Sequence, residues 1–166
     1  MVLAIHPGPI RVPQDYSTIR EAVDAANPGD IILVSAGSFL ERGLKINKTL
    51  SIIGEGATNT EVEAFFEVYA NNVTISGFTI LYDFDYPVLI SGCRGCNISN
   101  NIILGGYSSL YLYTSNDNIV AYNNMIPSIV YRGAIELFGS HNNLIIGNYG
   151  ENGAAGISLT ASNNKQ

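Results

Sequence analysis

Aromatic and acidic side chains recur at matching places in this sequence, each beside an apolar residue of a repeated pattern. The set comprises Glu67, Tyr69, Tyr111, Tyr113, Glu136 and Phe138. Neighbouring side chains of a strand point to opposite faces, so this set lies outside if the apolar residues are buried. Sugar rings stack on aromatic faces and their hydroxyls donate to carboxylates, so the pattern predicts a carbohydrate-binding surface. Cross-strand aromatic pairing that stabilises an exposed sheet, or a contact between copies of the chain, would use the same residues.

Two carboxylates, Asp83 and Asp85, lie close together in the segment 82–87. In an extended loop both would face one way and could share a general acid and base task or bind Ca²⁺. Arg132, like Arg94, is a candidate lyase-type base or anion clamp. The alternative interpretations are a solvated acidic loop and ordinary turn charges. Asp83, Asp85 and Arg132 are therefore the catalytic candidates, and Ca²⁺ at the two aspartates is the one cofactor candidate.

The two cysteines, Cys93 and Cys96, have the spacing of a metal-binding or redox pair. A structural zinc site needs about four ligands, and the sequence has no second cysteine pair. Cys93 instead falls in register with three serines, which favours a packing role at a corner of the fold. Neither His6 nor His141 forms a site with the other by any spacing argument. The sequence therefore predicts no metal site at these residues.

An internal repeat of about 22 residues organises the chain and must position all of these side chains. One apolar column has steps of 23, 23, 22 and 25 residues and consists of Ile52, Ile75, Ile98, Val120 and Ile145. A second has steps of 22, 22, 22, 25 and 22 residues and consists of Ile46, Val68, Ile90, Leu112, Leu137 and Leu159. The repeated units are short runs of Val, Ile, Tyr and Thr broken by Asn and Gly, typical of strands and turns. Stacked at about 4.8 Å per coil, they predict an all-β parallel solenoid of about six coils.

Polar columns accompany the apolar ones. A column of mostly asparagine predicts an amide ladder with an aromatic plug at one rung and consists of Glu55, Phe78, Asn101, Asn123 and Asn148. A column of small side chains predicts an inward corner and consists of Cys93, Ser115, Ser140 and Ser162. Both columns favour a solenoid in which inward side chains hydrogen-bond to the backbone groups of the turns.

The N-terminal end of the predicted solenoid carries its own lid. Thr18 and Glu21 form the pattern of a capping box, and an apolar stripe beginning at Ile19 predicts a short amphipathic helix. We expect one domain over residues 1–166, with a cap region at 12–29 and coils over 30–166. The C-terminal end shows no comparable cap, which predicts either a longer solenoid or self-association through that end.

Composition excludes several classes of partner. Only 13% of residues are charged and the net charge is −6, so the chain lacks the basic clusters that bind nucleic acid. No apolar stretch approaches the ~20 residues of a membrane span, so we expect no membrane insertion. Residues 1–7 lack the features of a signal peptide.

The stretch from residue 12 to 23, together with residues 50–56, resembles the opening of pectin-lyase-like right-handed parallel β-helix proteins. The phrase Asn-Ile-Ser-Asn-Asn at 97–101 is similar to NosD-like and CASH (carbohydrate-binding and sugar hydrolase) repeats in particular. The resemblance covers most of residues 12–164. It implies a right-handed β-helix with an N-terminal cap helix, an extracellular, cell-surface or periplasmic location, and a polysaccharide or cell-surface glycan as partner. NosD-like proteins are also associated with copper.

The catalytic phrases of the resembled enzymes are absent. The sequence lacks the esterase motif Gly-Thr-Val-Asp-Phe-Ile-Phe-Gly and the polygalacturonase phrases Asn-Thr-Asp and Gly-His-Gly. We therefore expect a non-catalytic β-helix module that binds carbohydrate or acts as a surface or assembly scaffold. The alternatives are a polysaccharide lyase, hydrolase or esterase, or a fragment of one, and a purely structural solenoid that self-associates.

Overall fold

Short parallel strands wind the chain into a solenoid, which a computed structural model describes over residues 8–129, 131–151 and 155–165. The strands form three sheets, and each coil gives one strand to each sheet. Sheet I contains β1 Ile10–Val12, β2 Ile31–Val34, β5 Ser51–Gly54, β8 Thr74–Ser76, β11 Asn97–Ser99, β14 Ile119–Ala121, β17 His141–Ile146 and β20 Asn163–Lys165. Sheet II contains β4 Leu44–Ile46, β7 Phe66–Val68, β10 Val88–Ser91, β13 Leu110–Tyr113, β16 Gly133–Phe138 and β19 Ala155–Thr160. Sheet III contains β3 Gly37–Leu40, β6 Thr60–Glu63, β9 Thr79–Leu81, β12 Ile102–Leu104, β15 Asn124–Ile126 and β18 Tyr149–Gly150.

The two predicted apolar columns are confirmed as stacked inward rows. Ile52 pairs with Ile75 in sheet I, and the same register continues to Ile145. The second column runs through sheet II from Ile46 to Leu159. Its members are buried except Leu159, in the last described strand of the sheet, which is 43% exposed. Period-2 alternation and the coil repeat together therefore build one continuous apolar core.

Six coils contribute a strand to each of the three sheets, as expected, and sheet I has two further strands. Eight strands stack in sheet I, which makes seven steps along the rod. The two additional strands are β20 at the C-terminal end, which pairs with β17, and β1, which pairs with β2 and precedes the cap helix. β2 is therefore the second strand of its sheet, and only its alternate residues Ile32 and Val34 are buried. The three residues of β1 are too few for a periodic signal, which explains why the sequence placed them outside the coils.

The cap helix α1 spans Ile19–Ala25 and has the predicted capping box. The Thr18 hydroxyl accepts from the Glu21 N–H at 3.1 Å, and the Glu21 carboxylate accepts from the Thr18 N–H at 3.2 Å. A buried carboxylate, Glu41, accepts a further bond from the Ile19 N–H at 2.6 Å. This contact ties the start of the helix to the first coil. No helix in the described part of the chain is long and apolar enough to cross a membrane.

The predicted asparagine ladder is present from Asn101 to Asn148. The Asn123 Oδ1 accepts from both the backbone N–H and the side-chain amide of Asn101, each at 3.1 Å. Its own Nδ2 donates to the Ile98 carbonyl at 2.9 Å, and Asn148 receives the next pair of bonds. Each amide therefore joins neighbouring coils and satisfies buried backbone groups.

Phe78 ends this ladder as the predicted aromatic plug. Its ring is fully buried 6.2 Å from the ring of Phe66, and its N–H donates to Asn101. Glu55 shares the sequence column but not the ladder, because Phe78 fills the interior there. The Glu55 carboxylate is exposed and accepts from the Ala36 N–H at 2.9 Å.

A second amide ladder was not predicted. The Asn143 Oδ1 accepts from the N–H and side-chain amide of Asn118 at 2.9 Å, and Asn164 repeats this geometry on Asn143. Cys96 holds the corresponding place on the preceding coil, and its N–H donates to Asn118. The steps of 22, 25 and 21 residues are visible in the sequence, but Cys96 interrupts the run of asparagines.

We expect Asn123→Ala to lower the free energy of unfolding by about 2–4 kcal/mol, because it removes the partners of buried groups on Asn101 and Ile98. Urea denaturation measures the change. The matched control is Asn47→Ala at an exposed position after β4, where a change within about 0.5 kcal/mol is expected. Equal losses in the two variants would contradict a structural role for the ladder.

Candidate functional site

The outward face of sheet II carries two parallel rows of side chains along the rod. The first row consists of Lys45, Glu67, Leu89, Tyr111, Glu136 and Ser158. The second consists of Ser91, Tyr113, Phe138 and Thr160. Tyr69, which directly follows β7, is also exposed, at 43%. All six residues predicted for carbohydrate binding thus lie on one face, which we call the aromatic face.

Four rings form a continuous row on the aromatic face. Tyr86 stacks on Tyr111 with ring centroids 4.5 Å apart, and Tyr113 stacks on Phe138 at 5.7 Å with an angle of 13°. Tyr111 and Tyr113 join the two pairs at 6.2 Å. Stacking uses one face of each ring, as expected for cross-strand aromatic pairing. Tyr113 and Phe138 remain 43% and 42% exposed, so ring surface is also open to a ligand.

Arg132 lies on the aromatic face. Its guanidinium donates to the Glu136 carboxylate at 3.1 Å and to the Tyr86 hydroxyl at 3.3 Å. The Glu136 charge raises the pKa of Arg132, so the guanidinium stays charged. Burial raises the pKa of Tyr86, and the nearby Glu136 and Asp85 add to this, so the phenol stays protonated. Arg132 therefore orders its neighbours, and its role as a base or anion clamp stays a prediction.

A second polar contact lies at the N-terminal end of the face. The Tyr69 hydroxyl donates to the Glu67 Oε1 at 3.2 Å, and the Lys45 Nζ lies 5.1 Å from the centre of the Tyr69 ring. Burial and the Glu67 carboxylate raise the pKa of Tyr69. Lys45 and Leu89 were not predicted as site residues. Each lies one residue before a buried residue of the second apolar column, as Glu67 does. The same alternation along the strand therefore predicts that Lys45 and Leu89 point outward.

The loop between β9 and β10 places Asp83 and Asp85 at two different surface pockets. Asp83 lines a pocket with Phe84, and its Oδ1 accepts from the Ser128 hydroxyl at 3.3 Å. Asp85 lines a separate pocket of about 400 Å³ beside Tyr86. Shared acid and base catalysis by the two aspartates stays a prediction, as does calcium binding. Among the described residues no group of three or more His, Cys, Asp or Glu side chains could hold a metal ion.

Cys93 and Cys96 are buried and match the predicted packing at a corner. The Cys93 Sγ contacts the carbonyl oxygens of Ser91 at 3.1 Å and Val68 at 3.4 Å. Ser115 uses its hydroxyl in the same way, towards the carbonyl two residues back and one in the preceding coil. A hydrogen bond with Cys96, together with burial, raises the pKa of the Cys93 thiol. The thiol therefore replaces a serine hydroxyl in a repeated corner.

The parallel sheets, the stacked amides and the single cap helix place the molecule in the class of right-handed parallel β-helix proteins. A family model described as "NosD: Periplasmic copper-binding protein (NosD)" matches residues 23–166. The chain therefore belongs to the NosD family. No curated protein matches the sequence.

Solved pectin methylesterases share the fold. The pectin methylesterase PemA from Erwinia chrysanthemi superposes with a TM-score of 0.63 at 14% identity, over 86% of this chain and 55% of that chain. A pectin methylesterase in complex with hexasaccharide VII gives 0.62 at 14% identity, over 86% and 56%. A D178A mutant in complex with hexasaccharide IV gives 0.60 at 15% identity, over 96% and 61%. This chain therefore spans a little over half the length of these enzymes, and the likeness shows the fold alone.

The described residues do not fit the copper named in the family description. Copper(I) prefers thiolate sulfur, and the described thiols are those of Cys93 and Cys96. Both sulfurs contact backbone carbonyl oxygens, and no third His, Cys, Asp or Glu side chain joins them as a ligand among these residues. His6 lies outside the described residues.

We expect Cys93→Ser to change the free energy of unfolding by less than about 1 kcal/mol, because serine makes the same corner contacts in the next coils. Cys93→Val is the matched control. It removes the contacts to two buried carbonyls and adds a methyl group at a packed corner, so its loss should be larger by about 1–2 kcal/mol. Thermal or urea denaturation under reducing conditions compares the variants. A larger loss for serine than for valine would show that the sulfur has another role.

Proposed function

We propose that this chain is a periplasmic, non-catalytic β-helix module that binds carbohydrate on the aromatic face. The observation that carries the proposal is the continuous row of four rings flanked by carboxylates on one outward sheet. Sugar rings pack their apolar faces on aromatic rings and donate hydroxyl hydrogens to carboxylates, so this surface supplies both kinds of contact. The periplasmic location rests on the NosD family.

The shape of the face suits a chain of sugars rather than a single one. Equivalent residues on successive coils repeat at about 4.8 Å, so the row from Tyr86 to Phe138 extends along the rod. The rings are already held by stacking and by the contact from Arg132, so little side-chain entropy is lost on binding. Hexasaccharides bound to two of the pectin methylesterases occupy the same kind of fold, which is consistent with this proposal but does not carry it.

We favour binding over catalysis because the candidate catalytic groups are dispersed or engaged. Asp83 and Asp85 line different pockets, and the Arg132 guanidinium is held by Glu136 and Tyr86. An enzyme of this class would need these groups to converge on one bond. A structural scaffold would explain the stacked rings but needs no exposed ring surface flanked by carboxylates.

Affinity electrophoresis through native gels that contain soluble polysaccharides tests the proposal. We expect retardation of the wild-type chain on at least one polymer, weakened about tenfold or more in Tyr113→Ala/Phe138→Ala, since each stacking contact contributes about 0.5–1.5 kcal/mol. Tyr149→Ala, at an exposed tyrosine on sheet III, is the matched control and should migrate as the wild type does. Absence of retardation on every polymer would overturn the proposal.

A further inference from the structure

A pocket of about 400 Å³ opens at the N-terminal side of the aromatic face. It is lined by Phe65, Glu67, Tyr82, Asp85, Tyr86 and Leu89. Only Glu67 belongs to the surface predicted from the sequence as carbohydrate-binding. The volume and the mixture of an apolar lining with a few polar groups are those of a ligand pocket.

Aromatic rings form the apolar lining of this pocket. The rings of Phe65 and Tyr82 lie 5.0 Å apart at 52°, and Tyr86 is stacked on Tyr111, which joins the pocket to the row of rings. Phe65 in turn lies over Gly43, where a Cβ would clash with its ring. Neighbours therefore hold these rings in place before a ligand arrives.

The polar groups of the pocket are the carboxylates of Glu67 and Asp85. Glu67 already accepts from Tyr69 through Oε1, so its Oε2 can serve a ligand. The two cations of the aromatic face, Lys45 and Arg132, do not line the pocket. Lys45 lies over the ring of Tyr69, and Arg132 is paired with Glu136. The pocket thus offers acceptors for hydroxyl donors and no cation for an anionic group.

We propose that this pocket binds a neutral pyranose unit of the glycan, with ring hydroxyls donating to Glu67 and Asp85 and the sugar face packed on the aromatic lining. A uronate unit is disfavoured because its carboxylate would meet two carboxylates without a cation to compensate. This inference rests on the proposed function and narrows it to neutral polysaccharides.

Binding of two polymer classes to matched variants tests the inference. The probes are a neutral β-glucan, galactan and mannan, and polygalacturonate as the uronate, all with a chelator so that Ca²⁺ cannot bridge carboxylates. The variants are Glu67→Gln, Asp85→Asn and the double variant. The control is Glu61→Gln, which removes the same charge from an exposed position on sheet III. Circular dichroism and urea denaturation show that each variant is folded.

We expect the wild-type chain to bind a neutral polymer and the double variant to bind it about tenfold or more weakly, since hydrogen bonds to charged groups are stronger than neutral ones. Glu61→Gln should bind as the wild type does. For polygalacturonate we expect the double substitution not to weaken binding, so the double variant should bind this polymer as strongly as the wild type does or more strongly.

Three results would overturn the inference. Binding of polygalacturonate in preference to every neutral polymer would contradict it and leave the aromatic face as a carbohydrate site. Neutral binding that is unchanged in the double variant would place the sugar elsewhere on that face. Binding of no polymer at all would overturn the inference together with the proposed function.

Discussion

Parallel stacking of one coil on the next is the constraint on which the rest of this structure depends. The backbone of each coil hydrogen-bonds to the coils about 4.8 Å above and below it, so equivalent residues lie directly above one another throughout the rod. Turn groups inside the rod have no strand partner and must be satisfied by side chains. The side-chain amides of Asn118 and Asn123 meet this need, because each Oδ1 accepts from a backbone N–H of the preceding coil and each Nδ2 donates to the Oδ1 of the next asparagine. The ladders therefore fix the spacing of the coils at their corners.

The same constraint creates the aromatic face. A tyrosine at an outward position meets whatever lies at that position one coil away, and here Tyr113 meets Phe138. Outward rows therefore arise from the repeat, just as the core does, and a surface with a period of one coil suits a ligand with repeating units. The departures from the repeat give the face its asymmetry. The loop between β9 and β10 adds Tyr86 and Asp85 to the face.

The periodic part of the molecule could be predicted from the sequence, and the aperiodic part could not. The columns beginning at Ile46 and Ile52, the capping box and the first ladder are patterns that recur or follow local rules. The pocket residues Phe65 and Tyr82 belong to turns whose path depends on packing, so no spacing in the sequence brings them together. Arg132 was predicted as a base or clamp because its contact with Tyr86, from a loop 46 residues earlier in the chain, could not be foreseen.

The stacked rings explain how stabilisation and binding can share the same residues. A ring held by a neighbour has lost its rotamer freedom on folding, so a sugar that packs on it pays no further ordering cost there. Tyr86 illustrates this, because Tyr111 holds its ring, Arg132 holds its hydroxyl, and its remaining surface lines the pocket. If the row of rings only stabilised the sheet, burying the rings completely would stabilise it further. Tyr113 and Phe138 instead stay about 40% exposed. Stability alone therefore does not explain why part of the row of rings remains exposed.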